Sequence, residues 1–72
     1  MAYQIYKIHL VDGSIIEVAE NYYTLPRKGL IAIYQNADDN EVIAVGDAVL
    51  GACYIPKNNI LYISAEEVKV VD

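Results

Sequence analysis

Residues 52–63, Ala-Cys-Tyr-Ile-Pro-Lys-Asn-Asn-Ile-Leu-Tyr-Ile, constrain the fold more than any other part of the chain. Two short runs rich in aliphatic and aromatic residues, which favour strands, flank a four-residue break at 56–59. Pro56 cannot donate to a sheet, and the two asparagines of the break are typical of turns. Small closed β-barrels join their last two core strands in this way. The segment therefore predicts an all-β fold with a tight connection at 56–59.

The length of the chain, 72 residues, predicts a single domain spanning residues 1–72. A domain of this size buries only about 60% of the surface of its unfolded chain. Such domains commonly gain stability from disulfides, a metal or a partner subunit. Cys53 is the only cysteine and His9 the only histidine, which argues against an internal disulfide and a structural metal.

Apolar residues make up 56% of the sequence, compared with about 45–50% in average proteins. Ten Ile, eight Val and five Leu are many to bury in one small core. We therefore expect a homo-oligomer whose interface covers the excess. The alternative is a monomer that leaves these side chains on its surface.

The charge balance, ten acidic against five basic residues, gives a net charge of −5. This balance makes nucleic-acid binding unfavourable, because counterion release from phosphates requires Lys and Arg. The sequence shows neither a signal-peptide pattern nor an apolar run of about 18 residues that could span a membrane. Together with the single thiol, these features predict a cytoplasmic protein that binds no membrane. No motif for a cofactor is present.

The first β-hairpin is predicted in detail. Residues 3–11 alternate between apolar and polar side chains, as a half-buried strand does. A turn at residues 11–13 with Gly13 in a left-handed conformation places Ile8 opposite Ile16. In this register the apolar residues of both strands share one face, whereas a two-residue loop would mix the faces.

The rest of the chain predicts one long loop and several short strands. The loop spans residues 21–29, and the strands span 30–35, 41–45, 49–55, 60–63 and 68–71. Residues 64–67 would cap the strands before them, with Glu66 and Glu67 as the best place for one helical turn. At this length, these elements favour a small barrel of five or six strands over a sandwich.

Residues 51–60 resemble the last-strand segment of Src-homology-3 (SH3) domains, in which an aliphatic-Pro-Ser-Asn-Tyr-Val run follows a glycine. Gly51, Pro56 and Asn58 match this pattern, whereas Asn59 stands where the pocket Tyr is usual. The chain contains no Trp, so the aromatic groove that binds proline-rich peptides cannot form as it does in that family. The resemblance implies an SH3-like barrel rather than a ligand.

Two segments resemble the motifs of Sm-like proteins. Residues 10–13 resemble the aliphatic-Asp-Gly turn of the first motif, and residues 55–63 resemble the second, which reads Ile-Arg-Gly-Asn-Asn-Ile. Pro56 and Lys57 replace the Arg-Gly pair, whose Arg contacts RNA in that family. The resemblance implies an Sm-like barrel that pairs edge strands into rings.

The sequence contains no convincing catalytic or metal-binding cluster. His9 falls on the outer face of its strand, where a surface histidine is more common than a general base. Cys53 lies in a run typical of buried strands and is expected to act as a small hydrophobe. Residues 38–41 lack the ligand spacing of a calcium loop and predict a solvated turn. We therefore expect no enzyme activity.

Loop 21–29 is the strongest candidate for a binding site. Its candidate binding residues are Tyr22, Tyr23, Arg27 and Lys28, of types that combine apolar area with hydrogen-bond donors. The alternative is that Tyr22 or Tyr23 plugs one end of the barrel. A second candidate cluster consists of Tyr54, Lys57 and Asn58.

These observations favour a noncatalytic module that binds a protein partner, comparable to small inhibitors encoded by phages or mobile elements. Such a module would act by occlusion, in which it covers a functional surface of its partner, or by mimicking nucleic-acid charge. Mimicry requires one continuous acidic patch. The alternative is a small-ligand or nucleotide binder with its site between subunits, which uses Tyr rings for stacking and Arg27 or Lys28 for charge. An Sm-type RNA binder is the third candidate.

Overall fold

A computed structural model describes residues 1–47 and 51–71, which form five strands and one short helix. The strands are β1 (Ala2–Leu10), β2 (Ile15–Asn21), β3 (Val42–Asp47), β4 (Gly51–Pro56) and β5 (Ile60–Val70), and the helix is α1 (Leu30–Asn36). Two 3₁₀ turns, Pro26–Lys28 and Lys57–Asn59, complete the secondary structure. The predicted strand-rich class is therefore confirmed.

The strands form two antiparallel sheets. One has the order β2-β1-β5, and the other pairs β3 with β4. Within the described residues the strands do not close into a barrel. The predicted strands at 41–45 and 49–55 correspond to β3 and β4, although residues 49 and 50 lie outside the described part of the chain.

The β1–β2 hairpin has the predicted register. Ile8 pairs with Ile16, and Gly13 has a φ of 92°. The Leu10 amide donates to the Ser14 carbonyl at 2.9 Å, as expected for a three-residue turn with a left-handed glycine. The alternating pattern and the turn residues together determine this element.

The predicted strand at residues 30–35 is wrong, because this segment belongs to α1. The Leu30 amide, at the start of the helix, donates to the Glu20 carboxylate of β2 at 2.6 Å. Beyond the other end, the Lys57 ammonium donates to the Ala37 carbonyl. A negative group at the N-terminus and a positive group at the C-terminus both stabilise a helix. The seven-residue helix runs for about two turns. The sequence predicted at most one helical turn, and placed it at Glu66 and Glu67.

One side of α1 contributes to the core. Leu30 is buried, and Tyr34 and Ala37 pack against the same cluster. These positions are four and seven residues after Leu30, the spacing of one helical face. The other buried members of this cluster are Ile8, Ile43, Val45, Ile55 and Ile60. The core thus lies between the two sheets and the helix.

β5 is one continuous strand, so the prediction of two strands with a cap at residues 64–67 is wrong. Its register with β1 shifts by one residue at Leu61 and again opposite Ile5. The second irregularity contains Glu66 and Glu67, which were predicted to favour a helical turn. Such bulges let a long strand bend while it remains paired.

The second bulge is held by a side chain of β1. The Gln4 amide donates to the carbonyl of Glu66 at 2.9 Å and to that of Ile5 at 3.0 Å. These contacts satisfy carbonyls at the point where the strand register changes.

In the described part of the chain, no helix has the length and apolar character needed to cross a membrane.

We predict that Glu20→Ala lowers the free energy of unfolding by about 1–2 kcal/mol, since loss of a helix cap typically costs about 0.5–2 kcal/mol. Glu17→Ala is the matched control on the same strand and should change this free energy by about 0.5 kcal/mol or less. Urea denaturation followed by circular dichroism measures both. Equal losses for the two variants would contradict the capping role.

We predict that Ser14→Ala raises the pKa of Asp12. The Ser14 hydroxyl and amide donate to the Asp12 carboxylate at 2.6 Å and 2.9 Å, and these bonds hold the pKa of Asp12 below its ordinary value. Because the folded-state pKa is depressed, the stabilisation is present above the unfolded-state pKa and is lost as pH falls through the folded-state pKa. An NMR titration of the carboxyl group measures the change, and an unchanged pKa would refute this explanation.

Candidate functional site

Loop 21–29 lies at the end of the three-stranded sheet where β1 begins and β5 ends. The Tyr22 amide donates to the Ala2 carbonyl at 2.9 Å. Met1 and Val71 exchange two hydrogen bonds of 2.7 Å. We call the exposed surface here the aromatic end; it consists of Met1, Tyr22, Tyr23, Val70 and Val71.

Local interactions fix the two tyrosines of the aromatic end. The Tyr23 amide donates to the Asn21 side-chain oxygen at 2.9 Å, which forms an Asx turn. The rings of Tyr22 and Tyr23 meet edge to face, with centroids 5.7 Å apart. Their side chains are 54% and 80% exposed. The alternative in which one of them plugs a barrel end is therefore wrong.

Two basic residues of the same loop are also exposed. Arg27 and Lys28 lie in the 3₁₀ turn that begins at Pro26, and both are exposed. Within residues 1–47 and 51–71, the one ion pair joins Lys7 to Glu66 at 3.6 Å. The loop therefore presents two aromatic rings and two basic side chains that form no ion pair with the described residues.

The second predicted cluster does not form a single site. The Lys57 ammonium is bonded to the Ala37 carbonyl and lies 5.1 Å from the centre of the Tyr34 ring, so it stabilises the fold. Tyr54 and Asn58 are exposed. Lys57 lies near the C-terminal end of α1 and loop 21–29 precedes its N-terminal end, so the structure does not bring the two clusters together.

Sequence reasoning missed a groove of about 500 Å³ between β2 and the β3–β4 sheet. Residues of β2 form one wall, and Leu30, Ile33, Val45 and Cys53 contribute apolar surface elsewhere. Cys53 is exposed, which corrects the prediction that it is buried. No short motif marks the groove, because it depends on where α1 packs.

A smaller cleft of about 360 Å³ lies beside loop 21–29. Burial raises the pKa of Tyr6 in this cleft, and the negative charge and hydrogen bond of Glu20 raise it further. Tyr6 is therefore protonated near neutral pH. The Glu20 carboxylate accepts the Leu30 amide, and this donor competes with any role of the carboxylate as a general base.

His9 and Ser64 place an imidazole next to a hydroxyl group. Their side chains lie 3.1 Å apart on the outer face of the three-stranded sheet. The His9 ring stacks on Tyr62, with centroids 4.0 Å apart and planes 13° apart. Nucleophilic catalysis also needs a group that orients the base and donors that stabilise an oxyanion. The stacked geometry instead fits a cross-strand contact that stabilises the sheet.

Among the described residues, no group of three or more potential ligands is arranged to hold a metal ion. Comparison of the chain with protein-family models, with curated proteins and with solved structures found no match.

We predict that His9→Ala and Tyr62→Ala are coupled by about 0.5–1 kcal/mol in a double-mutant cycle of unfolding free energies, as stacked aromatic and cross-strand pairs typically are. A cycle between His9 and Tyr54, which lie on different sheets, is the control and should show no coupling. Zero coupling between His9 and Tyr62 would contradict the structural role of the stack.

Proposed function

We propose that the protein is a noncatalytic interaction module that self-associates and binds a protein partner. One observation carries this proposal: in the described part of the chain, fourteen large hydrophobic residues are 44–80% exposed, whereas seven hydrophobic residues form the buried core. Single exposed apolar residues are normal, but contiguous apolar patches mark interaction surfaces. Five of these exposed residues lie together at the aromatic end of the three-stranded sheet, and we propose that they form such a surface.

The chemistry of the aromatic end suits a protein partner. Tyr22 and Tyr23 offer large apolar faces with hydroxyl groups, and their ordering costs little because each has two side-chain torsions. Arg27 and Lys28, in the 3₁₀ turn of the same loop, can pair with carboxylates of the partner. Tyr and Arg are among the residues that dominate binding energy at protein interfaces.

The distribution of acidic residues favours occlusion over charge mimicry. Asp12 lies at the tip of the first hairpin, and Asp38 and Asp39 follow α1. Glu17 and Glu66 lie on the three-stranded sheet, where Lys7 approaches Glu66. The acidic side chains of the described residues are thus spread over separate regions, whereas a nucleic-acid mimic needs a continuous array.

A small-ligand binder is the second candidate. Its support is the groove beside β2, whose volume of about 500 Å³ falls within the range of about 300–1,000 Å³ for ligand sites. In this case the site would be completed by a neighbouring subunit. The likeness to SH3-like and Sm-like barrels stays a prediction, supported by the tight 3₁₀ connection Lys57–Asn59 between β4 and β5.

We predict that a photo-crosslinking amino acid at position 23 yields one discrete crosslinked species in the cells that produce the protein. The same amino acid at position 54 is the matched control, because Tyr54 is comparably exposed, at 72% against 80%, on a different surface. Arg27→Glu combined with Lys28→Glu should reduce the position-23 product at least about tenfold. Identical products from both positions, or none from position 23, would contradict binding through the aromatic end.

A further inference from the structure

β2 has an open hydrogen-bonding edge. The Leu10 amide donates to the Ser14 carbonyl and the Tyr22 amide donates to the Ala2 carbonyl, each at 2.9 Å. Even-numbered residues of this segment therefore direct their backbone groups toward β1, and odd-numbered residues direct theirs away. In the described part of the chain, the outward groups of Ile15, Glu17 and Ala19 have no backbone partner.

The other edge of the same sheet is unsuited to regular pairing. β5 contains two bulges, one at Leu61 and one at Glu66–Glu67. Bulges and adjacent charges are devices by which proteins prevent edge-to-edge association. β2 has no register shift against β1 over its seven residues. It is therefore the regular open edge of the three-stranded sheet.

We propose that two copies of the chain join through their β2 strands, antiparallel about a twofold axis at Val18, so that two three-stranded sheets become one. This inference rests on the proposed self-association and specifies its interface. An isologous contact of this kind closes after two copies and leaves no further β2 edge exposed.

Charge and the extent of strand overlap together favour the register centred on Val18. Pairing centred on Glu17 would place two Glu17 carboxylates directly opposite each other, which is destabilising. Pairing centred on Val18 overlaps the strands over their whole length, from Ile15 to Asn21, and places each Glu17 opposite Ala19 of the other copy. The two Val18 side chains then meet on the inner face, beside the apolar groove.

The register can be tested by paired substitutions at Ala19, which is exposed. Ala19→Lys should lower the dimer dissociation constant about tenfold at low salt, because twofold symmetry creates two opposite-charge pairs with Glu17. Ala19→Glu should raise this constant about tenfold, and adding Glu17→Lys to it should reverse that effect. Ala52→Lys and Ala52→Glu, at an exposed site on β4, control for net charge and should have little effect. Sedimentation equilibrium measures each constant.

Hydrogen exchange on the unmodified chain provides an independent test. The Glu17 and Ala19 amides should become protected as protein concentration rises, whereas the Val18 amide, bonded to β1, should be protected throughout. Concentration-independent exchange at positions 17 and 19 in a protein that still self-associates would overturn the β2 interface and leave the proposed function standing. A monomer at every concentration would overturn both.

Discussion

The Glu20 carboxylate joins three parts of the structure. It accepts the Leu30 amide at 2.6 Å, its charge contributes to the raised pKa of Tyr6 on β1, and Glu20 itself belongs to β2. It thereby fixes the start of α1 against the three-stranded sheet. A Cβ atom on Gly29 would lie 3.1 Å from both Glu20 oxygens, so glycine leaves room for the contact. The helix in turn carries Leu30 into the core and forms part of the groove beside β2.

Contacts between distant parts of the chain, such as that of Glu20 with Leu30, decide which elements could be predicted from the sequence. The β1–β2 hairpin could be predicted because its register depends on neighbouring residues: an alternating pattern and a turn with Gly13. α1 could not, because the groups that stabilise its ends, Glu20 and Lys57, come from other elements. A short apolar run such as residues 30–34 is ambiguous between strand and helix until its partners are known. The single strand β5 could not be predicted for a similar reason, since its bulge at Glu66 and Glu67 is stabilised by Gln4 of β1.

The candidate site was predictable only in part. Tyr22, Tyr23, Arg27 and Lys28 were identified from residue type, and the structure places all four at the surface. Lys57 has the same chemistry, but its ammonium is used to hold α1. The groove depends on how the two sheets face each other, and the open edge of β2 depends on the strand order of its own sheet; no local pattern encodes either. The composition did indicate an excess of apolar residues. The structure leaves many of them exposed.

We propose that this small fold covers part of its exposed apolar surface by association with another copy of itself. Sedimentation equilibrium of the unmodified chain, from micromolar to millimolar concentration, measures this association. We expect a reversible shift from the mass of one chain, 8.0 kDa, to twice that mass as concentration increases. A mass that stays at one chain over the whole range would contradict it.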